Sequence, residues 1–225
     1  MPSGTASPHF VTGVRRAARK MKRTQRKRMR NRVARLRQRF ARLKKQVRPE
    51  TLYSYSFPTS SDDPVLARSD CTLIEADEGK LAELKATYPR ELSQRKYQIL
   101  LERLNVPSEK CWLISDGHGN LCGYCHLAFK STLNARNNHL VEVGRAQAYF
   151  FDDYVFKKHR GKGLHAASIA QRMEIAAGMG ITEGLTTISK ANYPSITSYG
   201  KFGLRSELIL VYIPLFKRTL RLSKR

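Results

Sequence analysis

Apolar and polar positions sort this chain into two unequal parts. From Cys71 onward, short apolar runs alternate between period two and helical spacing, whereas the first fifty residues carry one thin apolar seam among basic residues. Strand-like runs fall at 71–75, 110–115, 121–129, 140–143, 147–155, 182–189 and 207–213. Helical spacing falls at 79–87, 90–104, 164–177 and, briefly, 195–201, with Tyr88-Pro89 parting the first two helices. The predicted order is β-α-α-β-β-β-β-α-β-α-β over residues 71–216. That is a mixed α/β domain whose central, mostly antiparallel sheet is flanked by helices. Residues 131–138 read as a polar loop, and 217–225 as a basic tail that frays.

Residues 49–70 hold Pro58, Pro64 and a Ser/Asp cluster and read as a linker, within which the alternation of 52–57 adds an edge strand. Before it lies an arm, 1–48. Met1–His9 is small and polar, as in disordered chain. Met29, Val33, Leu36, Phe40, Leu43 and Val47 then recur at intervals of 4, 3, 4, 3 and 4, a helix with one narrow apolar seam.

Charge sharpens this division. The formal net charge is +24, and residues 1–50 hold eighteen Lys/Arg against one acid. The other 175 residues hold 24 Lys/Arg against 17 acids, so the arm carries most of the excess. Such a block repels itself and seeks polyanions: nucleic acid, the ribosome, or an anionic membrane surface. Without acidic partners along its seam the arm is a poor self-pairing zipper, and with Phe40 as its one well-placed aromatic it favours phosphate contacts over base stacking.

No apolar run is long enough to span a bilayer, and no secretory core lies near the start. The expected compartment is the cytoplasm. An Arg-rich, acid-poor start also suits a mitochondrial presequence, and a basic helix suits peripheral attachment to an anionic membrane.

The four cysteines, at 71, 111, 122 and 125, fit reduced thiols. Cys122-Gly-Tyr-Cys125-His126 matches a c-type haem attachment string, but it sits in a β-rich run after an Asp-Gly-His-Gly-Asn turn and reads as a hairpin arm. No second Cys/His pair stands at zinc-finger spacing. Neither haem nor metal is expected.

The run 155–165, Val-Phe-Lys-Lys-His-Arg-Gly-Lys-Gly-Leu-His, is a strand breaking into a basic glycine turn that opens a helix. Unpaired N–H groups at a helix start, with the positive end of the dipole behind them, make a phosphate site. Gly161 and Gly163 allow the tight turn, and Arg160 and Lys162 add charge. Downstream, Asn192, Ser195, Ile196, Tyr199, Lys201, Gly203 and Leu204 form a second spaced set.

Together the two segments resemble the GNAT superfamily of acyl-coenzyme A-dependent N-acyltransferases. That family has Arg/Gln-x-x-Gly-x-Gly/Ala at its pyrophosphate turn and Asn-x-x-Ala-hydrophobic-x-x-Tyr-x-Lys-x-Gly-Phe downstream. This chain departs at His165, where Gly or Ala is usual, and at Leu204, where Phe is usual. The resemblance covers about 71–216 and implies the GNAT fold, with acetyl- or another acyl-coenzyme A as co-substrate. It implies pyrophosphate on the N–H groups of 161–164, pantetheine beside Val155 and Phe156, and Asn192 near the pantetheine. Tyr199 would protonate the departing thiolate. His165, at a helix start that disfavours its charged form, would touch phosphate or acyl chain.

An amine acceptor is almost wholly protonated at neutral pH, so a base is also expected. Asp152 and Asp153 are the candidates, with an ion pair to a nearby Lys or Arg as the competing role. In a regular strand they face opposite ways, Asp152 with Phe150 and Tyr154, Asp153 with Phe151 and Val155. Glu142 and Tyr149 are further candidates. The expected activity is acyl transfer to an amine or hydroxyl; the alternative is a polyanion-binding protein whose folded domain is a scaffold or acyl-coenzyme A sensor.

Overall fold

The computed structural model describes residues 29–33, 48–60 and 71–223. Residues 29–33 are helical, as the seam predicts; the remaining arm expectations lie outside the described residues. The chain divides into two compact units, 1–48 and 49–225, and the second holds the sheet.

Its elements are β1 (Glu50–Pro58), β2 (Thr72–Glu75), α1 (Glu78–Thr87), α2 (Gln94–Leu104), β3 (Glu109–Ser115), β4 (Leu121–Ala128), β5 (Thr132–Asn134), β6 (His139–Val141), β7 (Gln147–Val155), α3 (Leu164–Gly178), β8 (Glu183–Ser189), α4 (Tyr193–Gly200), β9 (Arg205–Ile213) and β10 (Arg218–Ser223). Eight strands form one sheet in the order β10-β9-β1-β8-β7-β4-β3-β2, and β5 and β6 pair separately. The only parallel neighbours among the described strands are β7 and β8, joined through α3. The fold is thus the expected mixed, mostly antiparallel sheet with helices on its faces. No helix among the described residues is long and apolar enough to cross a membrane.

Three expectations need correction. Residues 52–57 do not form an edge strand within a linker: β1 lies inside the sheet, antiparallel to both β8 and β9. It belongs there because Phe57 is buried against Phe150 and Tyr199, with ring centroids at 5.0 and 5.5 Å. Residues 131–138 are not all loop, since Thr132–Asn134 pairs with His139–Val141. The basic tail does not fray at residue 217, because Arg218–Ser223 pairs along β9, where Leu220 and Leu222 alternate with Arg221.

The helices divide the core. α3 and α4 cover one face, burying Ile169, Met173, Ala176, Tyr199 and Phe202 against Phe57, Phe150, Cys125 and Leu127. α1 and α2 cover the other, burying Leu81, Leu84 and Leu100 against Leu113, Tyr124 and Phe156. Asp77 and Ser93 cap α1 and α2 by accepting the N–H groups of Lys80 and Lys96, orphan donors that a helix start always leaves.

Candidate functional site

The parallel ladder between β7 and β8 stops early. It runs from Gln147↔Glu183 to Phe150↔Thr186, yet β7 continues to Val155 and β8 to Ser189. The strands part there, so the β8-facing backbone edge of β7 has no ladder partner. Such an edge can accept an extended polar chain as an added strand.

A bulge sits at this parting. Between β4 and β7, Tyr124 pairs with Tyr154 but His126 pairs with Phe151, so β7 holds one extra residue. Asp152 takes it up at φ 54°, a left-handed conformation that aspartate tolerates better than most residues. The extra residue resets the alternation. Asp153 and Val155 face α3 and α4 with Phe150, while Phe151, Asp152 and Tyr154 face the α2 side. The regular-strand expectation therefore fails in part: Asp153 does not share a face with Phe151, nor Asp152 with Phe150.

Beyond β7, a short 3-10 turn (Lys157–His159) leads into 160–163. Gly161 (φ 80°) and Gly163 (φ 76°) both take left-handed backbone, and Gly163 is the N-cap of α3 with no side chain to close the helix end. A Cβ at either glycine would meet nothing within 4 Å. The backbone at both glycines, on either side of Lys162, is thus open to close approach at the start of α3. Arg160 folds back: its Nε donates to the Val155 carbonyl at 2.9 Å and its guanidinium lies 5.2 Å from the centroid of the Tyr154 ring.

On the α3/α4 face a charged network bridges this region. Arg172, wholly buried, donates Nη1 and Nη2 to Asp153 Oδ1 and Oδ2, each at 2.8 Å. Its Nη1 also reaches the His126 carbonyl, and its Nε the Ser168 carbonyl. Tyr199 donates its hydroxyl to Asp153 Oδ2 at 2.6 Å, and His165 Nε2 lies 3.5 Å from the same oxygen. Burial alone would raise the Asp153 carboxyl; the adjacent Arg172 and the His165 contact instead hold it well below the usual carboxylate range. Burial, reinforced by the Asp153 charge, lifts the Tyr199 phenol well above its ordinary value. At neutral pH the network is a fixed carboxylate–guanidinium pair with a firmly protonated phenol.

Residues 78–204 match the model of the acetyltransferase (GNAT) family. The chain belongs to the GNAT acetyltransferase family. None of the curated proteins compared matches it. Among solved structures it resembles the glucosamine N-acetyltransferase region of a fungal multi-domain β-N-acetylglucosaminidase, at 11% identity and a TM-score of 0.55, over 78% of this chain and 22% of that one. A GNAT-family acetyltransferase from Novosphingobium aromaticivorans follows, at 15% identity and 0.49, over 73% and 63%. Spermidine N-acetyltransferase from Vibrio cholerae, solved with coenzyme A and spermine, has 16% identity and 0.45, over 60% and 80%. This chain thus spans less than two thirds of the first two.

Within the GNAT domain, the structure brings Asp153, His165 and Tyr199 together, and sets Asp152 apart. The Asp152 carboxylate is ion-paired to Lys96 and Arg103 of α2, on the opposite face. Val155 and Phe156 flank the turn, but their nearest backbone groups are used within the chain, the Val155 carbonyl by Arg160 and the Phe156 N–H by the Cys122 carbonyl. Asn192 caps α4, its Oδ1 accepting from Ser195 N at 3.4 Å. Glu142 is exposed near Arg221, and Tyr149 is buried with its hydroxyl accepting from Asn134.

Sequence reasoning missed Arg172. Its signal was present: Ile169, Arg172, Met173 and Ala176 follow helical spacing, so the arginine shares an otherwise apolar seam. A cation so placed needs an internal carboxylate, and Asp153 amid aromatic neighbours needs a cation.

Proposed function

We propose that this protein transfers an acyl group, most simply acetyl, from coenzyme A directly to an amine, with a hydroxyl as the alternative acceptor. The observation that carries this reading is the parting of β7 and β8 beside an open glycine turn at the start of α3. The pyrophosphate sits on the N–H groups of 161–164, screened by Lys162 and Arg160. The pantetheine arm lies along the unpaired edge of β7 and points its thioester toward the bulge. The acceptor's lone pair attacks the carbonyl, the C–S bond breaks with the bonding pair leaving on sulfur, and the proton the acceptor loses passes through solvent to that sulfur.

Tyr199 is the candidate to meet that sulfur. Burial and the Asp153 charge put its phenol well above a thiol's ordinary pKa near 8.5, so complete proton transfer to the thiolate is uphill. Tyr199 therefore serves as a hydrogen-bond donor to the leaving sulfur, by turning toward it the one proton that at rest lies on Asp153 Oδ2. Asp153, clamped by Arg172, orients the phenol and is too weak a base to deprotonate an ammonium. Tyr199→Phe should slow turnover about 10- to 1000-fold with little change in coenzyme A affinity. Steady-state thiol release over a panel of amines, together with calorimetric binding, measures both; wild-type values for both would make Tyr199 a packing residue only.

We infer a second, separable property from the charge distribution: the arm tethers the enzyme to a polyanion. A fragment beginning at Arg48 keeps β1 whole, and one beginning at Thr51 does not. The former should stay folded, retain coenzyme A binding and lose affinity for RNA, DNA or anionic vesicles. For the full chain that affinity should fall about a thousandfold or more between 50 and 200 mM salt if six or more phosphates are engaged. Polyanion binding that survives removal of the arm contradicts the tether.

A further inference from the structure

Behind the glycine turn, three side chains from separate parts of the chain converge. Asp116 comes from the turn between β3 and β4, Cys122 from the start of β4, and His159 from the 3-10 turn before Arg160. One donor atom from each lies within 4.8 Å of the other two. Cys122 Sγ is 3.1 Å from His159 Nδ1, and Asp116 Oδ2 is 3.9 Å from the same nitrogen. We propose that Asp116, Cys122 and His159 bind one zinc ion.

The surroundings orient two of the three donors. The Tyr88 hydroxyl lies 2.7 Å from the Leu121 carbonyl, which can only accept, so its single proton goes there. The same oxygen, 2.8 Å from His159 Nε2, must then accept the ring N–H. That fixes the tautomer and leaves the Nδ1 lone pair aimed at the thiol. Metal-binding histidines are oriented in this way, with the second ring nitrogen held by an outer acceptor.

Asp116 is equally constrained. Its Oδ1 accepts from His118 N, Asn120 N and Asn120 Nδ2 at 3.1, 2.9 and 3.1 Å, and its Oδ2 faces the imidazole while also accepting from Asn120 Nδ2 at 3.2 Å. The Asn120 carbonyl, 3.1 Å from Cys122 Sγ, or a water can complete a tetrahedron.

The donor set selects the ion. One sulfur, one imidazole nitrogen and one carboxylate oxygen suit zinc, whereas calcium and magnesium require six or more oxygens. Zinc bonds of about 2.3 Å to sulfur and 2.0 Å to nitrogen put those atoms about 3.5 Å apart, a small opening of the present contact. Binding breaks the Cys122 S–H bond and forms Zn–S and Zn–N bonds, and the proton passes to buffer. Affinity therefore rises with pH. The ion would also pin the backbone just before Arg160; that consequence rests on the coenzyme A reading, but the binding does not.

The test uses the untagged, metal-stripped full chain titrated with Co²⁺, whose thiolate bond absorbs in the near ultraviolet. One equivalent should saturate the band, one equivalent of Zn²⁺ should abolish it, and about one proton should be released. Cys122→Ser and His159→Gln should each remove the band, Asp116→Asn should weaken binding at least about tenfold, and Cys125→Ser should leave it intact. Near-ultraviolet circular dichroism checks that each variant is folded, and the two ligand variants serve as independent tests. Absence of the band in the wild type, or its persistence in folded Cys122→Ser or His159→Gln, overturns the proposal, as does a band that depends on Cys125.

Discussion

Arg172→Met should destabilise the domain by about 3–5 kcal/mol at neutral pH, because it removes one partner of a buried ion pair and strands the other. Asp153, with a side chain only 7% exposed, would keep its charge in an apolar setting with Tyr199 as its main remaining donor. The penalty should depend on pH with a definite sign. In the wild type the Asp153 pKa is depressed, so its stabilisation is present above the unfolded value near 3.9 and is lost only as pH falls through the lower folded value. In the variant the folded value moves above 3.9, because burial is no longer offset. Its cost then grows as pH rises from about 4 toward neutrality. Urea unfolding at pH 5 and pH 7 should show the gap between variant and wild type widening with pH, and adding Asp153→Asn should recover much of it. A gap that does not change with pH would mean that Arg172 acts by packing alone.

Gly163→Val should abolish coenzyme A binding, with at least a hundredfold loss of affinity by calorimetry, while the fold persists. The two halves of this expectation have separate causes. The added side chain meets no protein atom, since nothing lies within 4 Å of a Cβ there, so the core is not disturbed. It does project from the helix start into the space that a pyrophosphate would occupy, and a β-branched residue resists the left-handed backbone at φ 76°. Strain of about 1–3 kcal/mol is tolerable for a folded domain but distorts the N–H groups that must converge on the phosphates. Unchanged affinity in a folded variant would move the cofactor away from this turn.

Much of this arrangement was legible in the sequence for reasons of local chemistry. The glycine turn and α3 were readable because backbone freedom, charge and helical spacing all coincide within ten residues. α4 was readable because Asn192, Pro194 and Tyr199 combine a cap, a first-turn proline and an apolar face. What was not legible depends on partners distant in sequence. The alternation of β1 marks a half-buried strand but says nothing of its neighbours, which lie more than 120 residues away in β8 and β9. β10 was hidden because its arginines mask an alternating strand. The bulge at Asp152 escaped notice because a period of two was assumed throughout β7, and one inserted residue is enough to break it. The place of Arg172 in an apolar helical seam is legible, but its pairing with Asp153 and the Asp116–Cys122–His159 cluster are not, because pairing across the fold leaves no spacing rule to read.

The central claim is that coenzyme A lies across the turn and along the open edge of β7. Amide hydrogen exchange on the wild-type protein, with and without coenzyme A, tests it residue by residue. Slowed exchange should appear at Gly161, Lys162, Gly163 and Leu164, and at amides of 151–155 that face β8, while β10 is unaffected. Exchange unchanged at both the turn and the β7 edge with saturating coenzyme A, or protection confined to some other surface, would contradict it.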